Sequence, residues 1–276
     1  MRLSCHSGTL PEAMAVLSLG CSRWGSLVGG VDPARARALV ERAAMLGVCH
    51  FDTADIYGQG DSERMLGKLL AGLPAAHVTT KAGQRFPLKK RAILAAKPIL
   101  RPLLKRRAGL ADAAARNRAG VLPQDWSEQH LRKAITGSLK RLRRERVDDF
   151  LLHSPDSAVL LRGDAMTVLC ALKQEGKAAR IGASVDDREA FSAAIADPRI
   201  EVVQLPCLVM QAAPELVEEA RARDLVLAVR EIFSGHAGDA GAAIAAIPPG
   251  ADMVLTGTGS PDHLAETHKL LDGASC

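Results

Sequence analysis

The chain is poor in aromatic rings and has no paired thiol motif. Its 276 residues include one tyrosine, Tyr57, two tryptophans and five phenylalanines, so aromatics make up only 3%. A core with so few rings must be built from Ala, Leu, Val and Ile, and the 47% hydrophobic content supplies them. Mean hydropathy is +0.04, which argues against a disordered chain. The six cysteines, at 5, 21, 49, 170, 207 and 276, form no CxxC pair and no zinc-type spacing with histidine. That excludes a zinc module and predicts scattered reduced thiols. No stretch approaches the ~20 apolar residues of a membrane span, and the N-terminus shows no apolar signal segment. The expectation is a cytoplasmic protein. No GxGxxG follows the first predicted strand, which argues against a Rossmann domain.

Charge is present but unevenly placed. Residues 85–118 carry eleven Lys/Arg and one acid, Asp112, a local charge of +10 in a chain whose total is +5. The remainder is therefore −5, an acidic body with one basic segment. The stretch "RFPLKKRAILAAKPILRPLLKRRAG" mixes Leu/Ile with Lys/Arg, and Pro98 and Pro102 divide it into short pieces. Residues 85–126 read as a basic insertion or lid after the third strand. A peripheral membrane contact through 85–107 is the competing reading, because cationic amphipathic pieces bind anionic lipid. With one aromatic, Phe86, and no reader motif, the segment does not read as a nucleic-acid site.

Outside that segment a strand-then-helix pattern repeats. "AVLSLG" (15–20) predicts the first strand. Asp32 and Pro33 then supply an N-cap and a first-turn proline for a helix striped with Leu39, Val40, Ala43 and Leu46. "VCHFDT" (48–53) is followed by a helix capped at Asp61 or Ser62, then by "HVTTK" (77–81). Ser127 caps a helix with Leu131, Ile135, Leu139 and Leu142 on one face, ahead of "VDDFLLH" (147–153). Helix 164–175, "ARIGAS" (179–184), helix 187–196, "EVVQLP" (201–206) and helix 214–223 come next. "LVLAVR" (225–230), a short helix near 239–246, "DMVLTG" (252–257) and helix 261–271 complete the pattern. Eight strand–helix units predict a (β/α)8 TIM barrel as one domain over 1–276. A doubly wound open sheet is the rival, though such sheets usually have fewer units.

Barrels of this kind place function at the C-terminal ends of their strands. Those ends carry Asp52, Lys81, His153, Ser184, Gln204 and Arg230, and the last strand leads into "TGTGSP". Tyr57 lies five residues past Asp52. A free phenol has a pKa near ~10, so proton transfer at neutral pH calls for a neighbouring cation. Lys81 is placed to be that cation, Asp52 to hold Lys81, and His153 to bond a substrate oxygen. Phenol, ammonium, carboxylate and imidazole together suit protonation of a carbonyl oxygen while hydride comes from a nicotinamide or flavin. The glycine-rich turn "TGTGSPDHLAET" (256–267), with Ser260 as N-cap and Pro261 behind it, suits a phosphate at a helix N-terminus.

On these residues the chain resembles the aldo-keto reductases. The matching stretches are "LGCSRWG", "GVCHFDTADIYGQGDSERMLG", "VTTKAG", "LKRLRRERVDDFLLHSPD", "GKAARIGAS", "VVQ" and "GTGSPDHLAET", in family order over nearly the full length. The resemblance implies a (β/α)8 barrel that reduces an aldehyde or ketone with NADPH, with NADH as the other candidate, or runs in reverse. It implies a catalytic tetrad of Asp52, Tyr57, Lys81 and His153, with Tyr57 as general acid. It also implies that Ser184 and Gln204 hold the carboxamide, that Arg230 reaches the pyrophosphate, and that the adenosine end lies along 257–266. That last stretch includes Gly257, Thr258, Gly259, Ser260, His263 and Glu266. Trp24 would lie near the substrate pocket, and the partner would be a small-molecule carbonyl.

Several positions depart from the family pattern. Val185 stands where Asn is usual, "LAVREIF" lacks the usual stacking Tyr, and His263 and Thr267 replace Arg and Asn. The stretch 231–251 is short. These departures predict weak cofactor binding and fast exchange. They also motivate a second reading, a cofactor-binding sensor or accessory subunit with vestigial catalysis, recruited to membranes by the basic segment.

Overall fold

The computed structural model describes residues 15–26, 30–85, 122–236 and 238–273. Eight parallel strands close into one barrel in chain order. They are β1 (Val16–Gly20), β2 (His50–Asp52), β3 (His77–Ala82), β4 (Val147–His153), β5 (Ala178–Ser184), β6 (Val202–Pro206), β7 (Val226–Arg230) and β8 (Met253–Thr256). β1 pairs with β8, Leu17 beside Val254, so the sheet has no edge. Closure overturns the open-sheet alternative. The physical reason is the unbroken run of eight parallel neighbours, which lets a twisted sheet meet itself.

Ten α-helices are described outside the barrel. They are α1 (Pro33–Met45), α2 (Asp61–Leu69), α3 (Glu128–Leu142), α4 (Ser157–Arg162), α5 (Asp164–Gln174), α6 (Arg188–Ala196), α7 (Cys207–Gln211), α8 (Pro214–Ala222), α9 (Ala240–Ala245) and α10 (Pro261–Gly273). The predicted caps form at α1 and α3: Asp32 accepts from the Arg35 N–H at 3.0 Å and Ser127 from His130 at 3.3 Å. The cap of α2 differs. Gly60 precedes it at φ +83°, and Ser62 turns inward to donate to the Cys21 carbonyl at 2.9 Å and meet Thr53 at 2.8 Å. The serine serves the β1 and β2 loops instead of its own helix. The sequence reading passed over α4 and α7. Each is only one or two turns long, too short for a periodic stripe, although Asp156 caps α4 at 2.8 Å.

Alternation along each strand sends one set of side chains to the helices and the other into the barrel. Phe51, Val78, Phe150 and Ile181 face the helix layer and are almost fully buried. Each such side chain is worth roughly 1.5–3 kcal/mol relative to exposure. Gly182 in β5 is required by close approach: a Cβ there would lie 1.8 Å from the Val202 carbonyl oxygen on β6.

The thiols only partly follow expectation. Cys21, Cys170 and Cys207 are free, but Cys49 is disulfide-bonded. The spacing of the cysteines along the chain gave no signal of that bond. Of the basic insertion, 86–121 lie outside the described residues. Its two ends meet: Gln84 bridges Gln124 antiparallel, and Arg85 pairs with Asp125 at 2.8 Å. The lid and membrane readings of that segment fall on the undescribed part. Among the described residues no helix is long and apolar enough to cross a membrane.

Candidate active site

The ends of β2, β3 and β4 bring Asp52, Lys81 and His153 together, and the turn after β2 adds Tyr57. Lys81 is almost fully buried and donates to both Asp52 oxygens at 2.7 Å and to the Thr53 carbonyl at 2.9 Å. Burial works against its ammonium, but the Asp52 carboxylate outweighs that and raises Lys81 above the usual lysine range. Lys81 Nζ lies 5.3 Å from the centre of the Tyr57 ring. The Tyr57 and His153 rings meet edge to face with centroids 5.5 Å apart.

Burial pushes the Tyr57 phenol above its ordinary value, and the Lys81 charge opposes that rise. The phenol therefore keeps its proton at neutral pH, as a proton donor must. Burial, then the Lys81 and Arg230 charges, hold His153 well below the usual imidazole value. His153 is neutral, and its Nδ1 is buried without a hydrogen-bond partner.

Further round the barrel, Ser184 donates to Gln204 at 2.9 Å, and the Gln204 amide donates to Asp52 at 2.8 Å. One chain of hydrogen bonds thus runs Ser184–Gln204–Asp52–Lys81. Arg230 at the end of β7 donates to the Val185 carbonyl at 2.9 Å and pairs with Asp186 and Glu231. Val185 contributes a carbonyl where the family pattern places a side-chain amide.

These groups surround a cavity of about 560 Å³. Its lining includes Asp52, Tyr57, His153, Ser184, Gln204, Arg230 and Gly257. The other predicted cofactor residues stand apart from the lining. Ser260 accepts from the His263 N–H at 3.4 Å and caps α10, with Thr258 and Gly259 in the turn before it. His263 and Glu266 are exposed on that helix.

Trp24 requires a correction. It is fully buried in the hydrophobic core and is not part of the cavity wall, because the loop after β1 folds inward and bridges Val31. The ring beside the cavity is instead Phe233, 39% exposed, with Ile232 next to it. Sequence reasoning also passed over Asp186 and Glu231. Glu231 is simply the next residue after Arg230, whereas the proximity of Asp186 arises only when the ends of β5 and β7 are brought near each other. Among the described residues, no group of three or more His, Cys, Asp or Glu could hold a metal ion.

The barrel and the sequence agree with the comparisons. The model of the aldo/keto reductase family matches residues 16–237, and the chain belongs to that family. Among curated proteins it is similar to a 6-dehydroglucose reductase of Novosphingobium aromaticivorans, 34% identical over 157 residues, covering 55% of this chain and 40% of that protein. It is also similar to a D-threo-aldose 1-dehydrogenase of a Pseudomonas species, 30% identical over 202 residues, covering 70% of this chain and 56% of that protein. The chain thus spans about half the length of these curated relatives. Among solved structures, a candidate aldo-keto reductase from Pseudomonas aeruginosa superposes with a TM-score of 0.76 at 24% identity, covering 98% of this chain and 97% of that one. That likeness concerns the fold.

Proposed function

We propose that the protein is an oxidoreductase that interconverts a small carbonyl compound and its alcohol with NADPH, and that NADH also enters the same site. The carbonyl is an aldehyde or ketone, and the two sugar-acting relatives favour a polyhydroxylated one. The observation that carries the reading is the protonated, half-buried Tyr57 phenol beside the Lys81–Asp52 pair, on the wall of an open cavity.

The site residues fit a nicotinamide cofactor. Ser184 and Gln204 offer an amide-binding pair, Arg230 a cation for pyrophosphate, and Gly257 has nothing within 4 Å of its missing Cβ, leaving room for a close backbone approach. The turn through Thr258, Gly259 and Ser260, with His263 and Glu266 beyond it, would receive the adenosine end. When bound, the nicotinamide supplies the hydride. Tyr57 donates its phenolic proton to the carbonyl oxygen. The Lys81 ammonium stabilises the phenolate that remains, and Asp52 fixes Lys81 through its two bonds. Neutral His153 orients the substrate oxygen by a hydrogen bond from its ring.

The test is equilibrium titration with NADPH and NADH, followed by turnover on a panel of aldoses and simple aldehydes. Saturable binding and turnover are expected. The Tyr57→Phe variant should lose about 10²–10⁴-fold in kcat while its cofactor affinity is unchanged. Unaltered turnover in that variant would overturn the assignment of Tyr57. Cofactor binding with no turnover on any carbonyl would favour the sensor or accessory role.

A further inference from the structure

Behind Tyr57 lies a second set of buried charges that the proposed chemistry does not use. Glu63 on α2 is fully buried; it accepts from Thr80 at 2.8 Å and from Arg141 on α3 at 2.5 Å. Arg141 also donates to Ser138 at 3.2 Å, and its side chain lies against Gly60, at the end of the turn that carries Tyr57. Asp55 sits at the start of that turn. Its N–H donates to the Lys81 carbonyl at 3.1 Å, so its backbone ties the Tyr57 turn to the end of β3. Its Oδ1 is buried with no hydrogen-bond partner.

Asp55, half-buried with its Oδ1 enclosed, and the fully buried Glu63 are therefore two carboxyls under the influence of one guanidinium, which bonds Glu63 alone. Burial first, then the Glu63 charge, raises Asp55 from 3.8 to about 7, with Arg141 and the Ile56 N–H opposing. The charged groups that face it are Glu63 on α2 and Arg141 on α3. A neutral Asp55 leaves the Glu63–Arg141 pair intact. An ionised Asp55 competes for the same guanidinium and repels Glu63, which loads the turn between them.

We propose that Asp55 is a positioning residue: by gaining or losing a proton beside the Glu63–Arg141 pair, it sets where the turn carrying Tyr57 rests against Lys81. The neutral form holds the turn in the arrangement described above. This rests on the reading of Tyr57 as proton donor for its catalytic consequence, but the motion of the turn can be read without turnover. Nothing in the Tyr57–Lys81–Asp52 contacts requires Asp55, which acts only through the backbone of the turn.

The single tyrosine makes the test direct. With 13C-labelled tyrosine the protein gives ring signals from Tyr57 alone. They are followed between about pH 5 and about pH 9, a range that avoids the phenol's own titration. A step with its midpoint near 7 is expected, and His153, held well below its usual value, does not titrate there. Asp55→Asn, which fixes the neutral shape, should abolish the step. Glu63→Gln should move it to lower pH, because the charge that lifts Asp55 is gone. In wild type, kcat for reduction should fall at least threefold through the same midpoint, and in Asp55→Asn it should stay within twofold of the low-pH level across the range. A merely structural Asp55 would leave the profile in place. A flat ring signal in wild type, or the same step in Asp55→Asn, would overturn the proposal. If either variant fails to fold, the carboxyl 13C shifts of labelled aspartates in wild type decide: an aspartate titrating near 7 together with the ring supports it, and none sinks it. A ring step that Asp55→Asn removes, in a protein without carbonyl turnover, would uphold the positioning role while overturning the reductase reading.

Discussion

The two ends of the barrel both bury charge, and they finish it differently. At the N-terminal end, Asp149 on β4 is fully buried and accepts from His77 at 2.7 Å, Thr79 at 2.8 Å and Arg180 at 2.7 Å. His50 stacks on His77 with ring centroids 4.4 Å apart. At the C-terminal mouth, the Asp52–Lys81 pair is equally well made, yet beside it His153 Nδ1 has no partner and Tyr57 opens onto a cavity. The same strands carry both clusters at even spacing, such as His77, Thr79 and Lys81. Each end leaves one buried imidazole atom unmatched, His50 Nδ1 at one and His153 Nδ1 at the other. What separates them is the cavity that Asp52, Tyr57 and His153 line at the mouth, where a small molecule can be received.

Lys81→Met separates the two ends most sharply. It should abolish measurable turnover, and it leaves Asp52 buried with no cation, a loss of about 3–5 kcal/mol. Chemical denaturation together with kinetics reads both effects. Asp149→Ala should cost stability on a similar scale, about 3–5 kcal/mol, because it strands Arg180. Its kcat per folded molecule should be unchanged, and a large drop in kcat would erase the distinction between the ends.

Acid stability sharpens the comparison further, since two groups pull in opposite directions. His50 is lowered from 6.5 to about 4, chiefly by burial. Its neutral form contributes stability that is present above 6.5 and lost as pH falls towards 4, on the order of 3 kcal/mol in total. Asp55, raised from 3.8 to about 7, favours the folded state while protonated, so its contribution is lost as pH rises through that window. Thermal melts of Asp55→Asn should therefore show a steeper fall on acidification than wild type, with a higher melting temperature at pH 8. The smallest effect belongs to Ser184→Ala. Loss of its bond to Gln204 should weaken cofactor binding by about 1 kcal/mol, several-fold in Kd, and leave the melting temperature almost unchanged.

Much of this was legible in the residues. The eight apolar runs and their capped helices predicted the barrel, and strand-end position alone gathered Asp52, Lys81, His153, Ser184, Gln204 and Arg230. Position misled at Trp24, because whether a loop side chain turns into the core depends on what the loop packs against. It also gave no hint of Asp186 beside Arg230, nor of Cys49 in a disulfide.

The sequence by itself determined the period of strands and helices, the single phenol and the polar residue at each strand end, because these are properties of order along the chain. Tertiary structure alone decided which charges share a neighbour and which polar atoms go unmatched. Asp55, Glu63 and Arg141 lie as far as 86 positions apart in the chain, and only packing α2 and α3 against β3 brings them together. Electrostatics falls off with distance in space, not with distance in sequence.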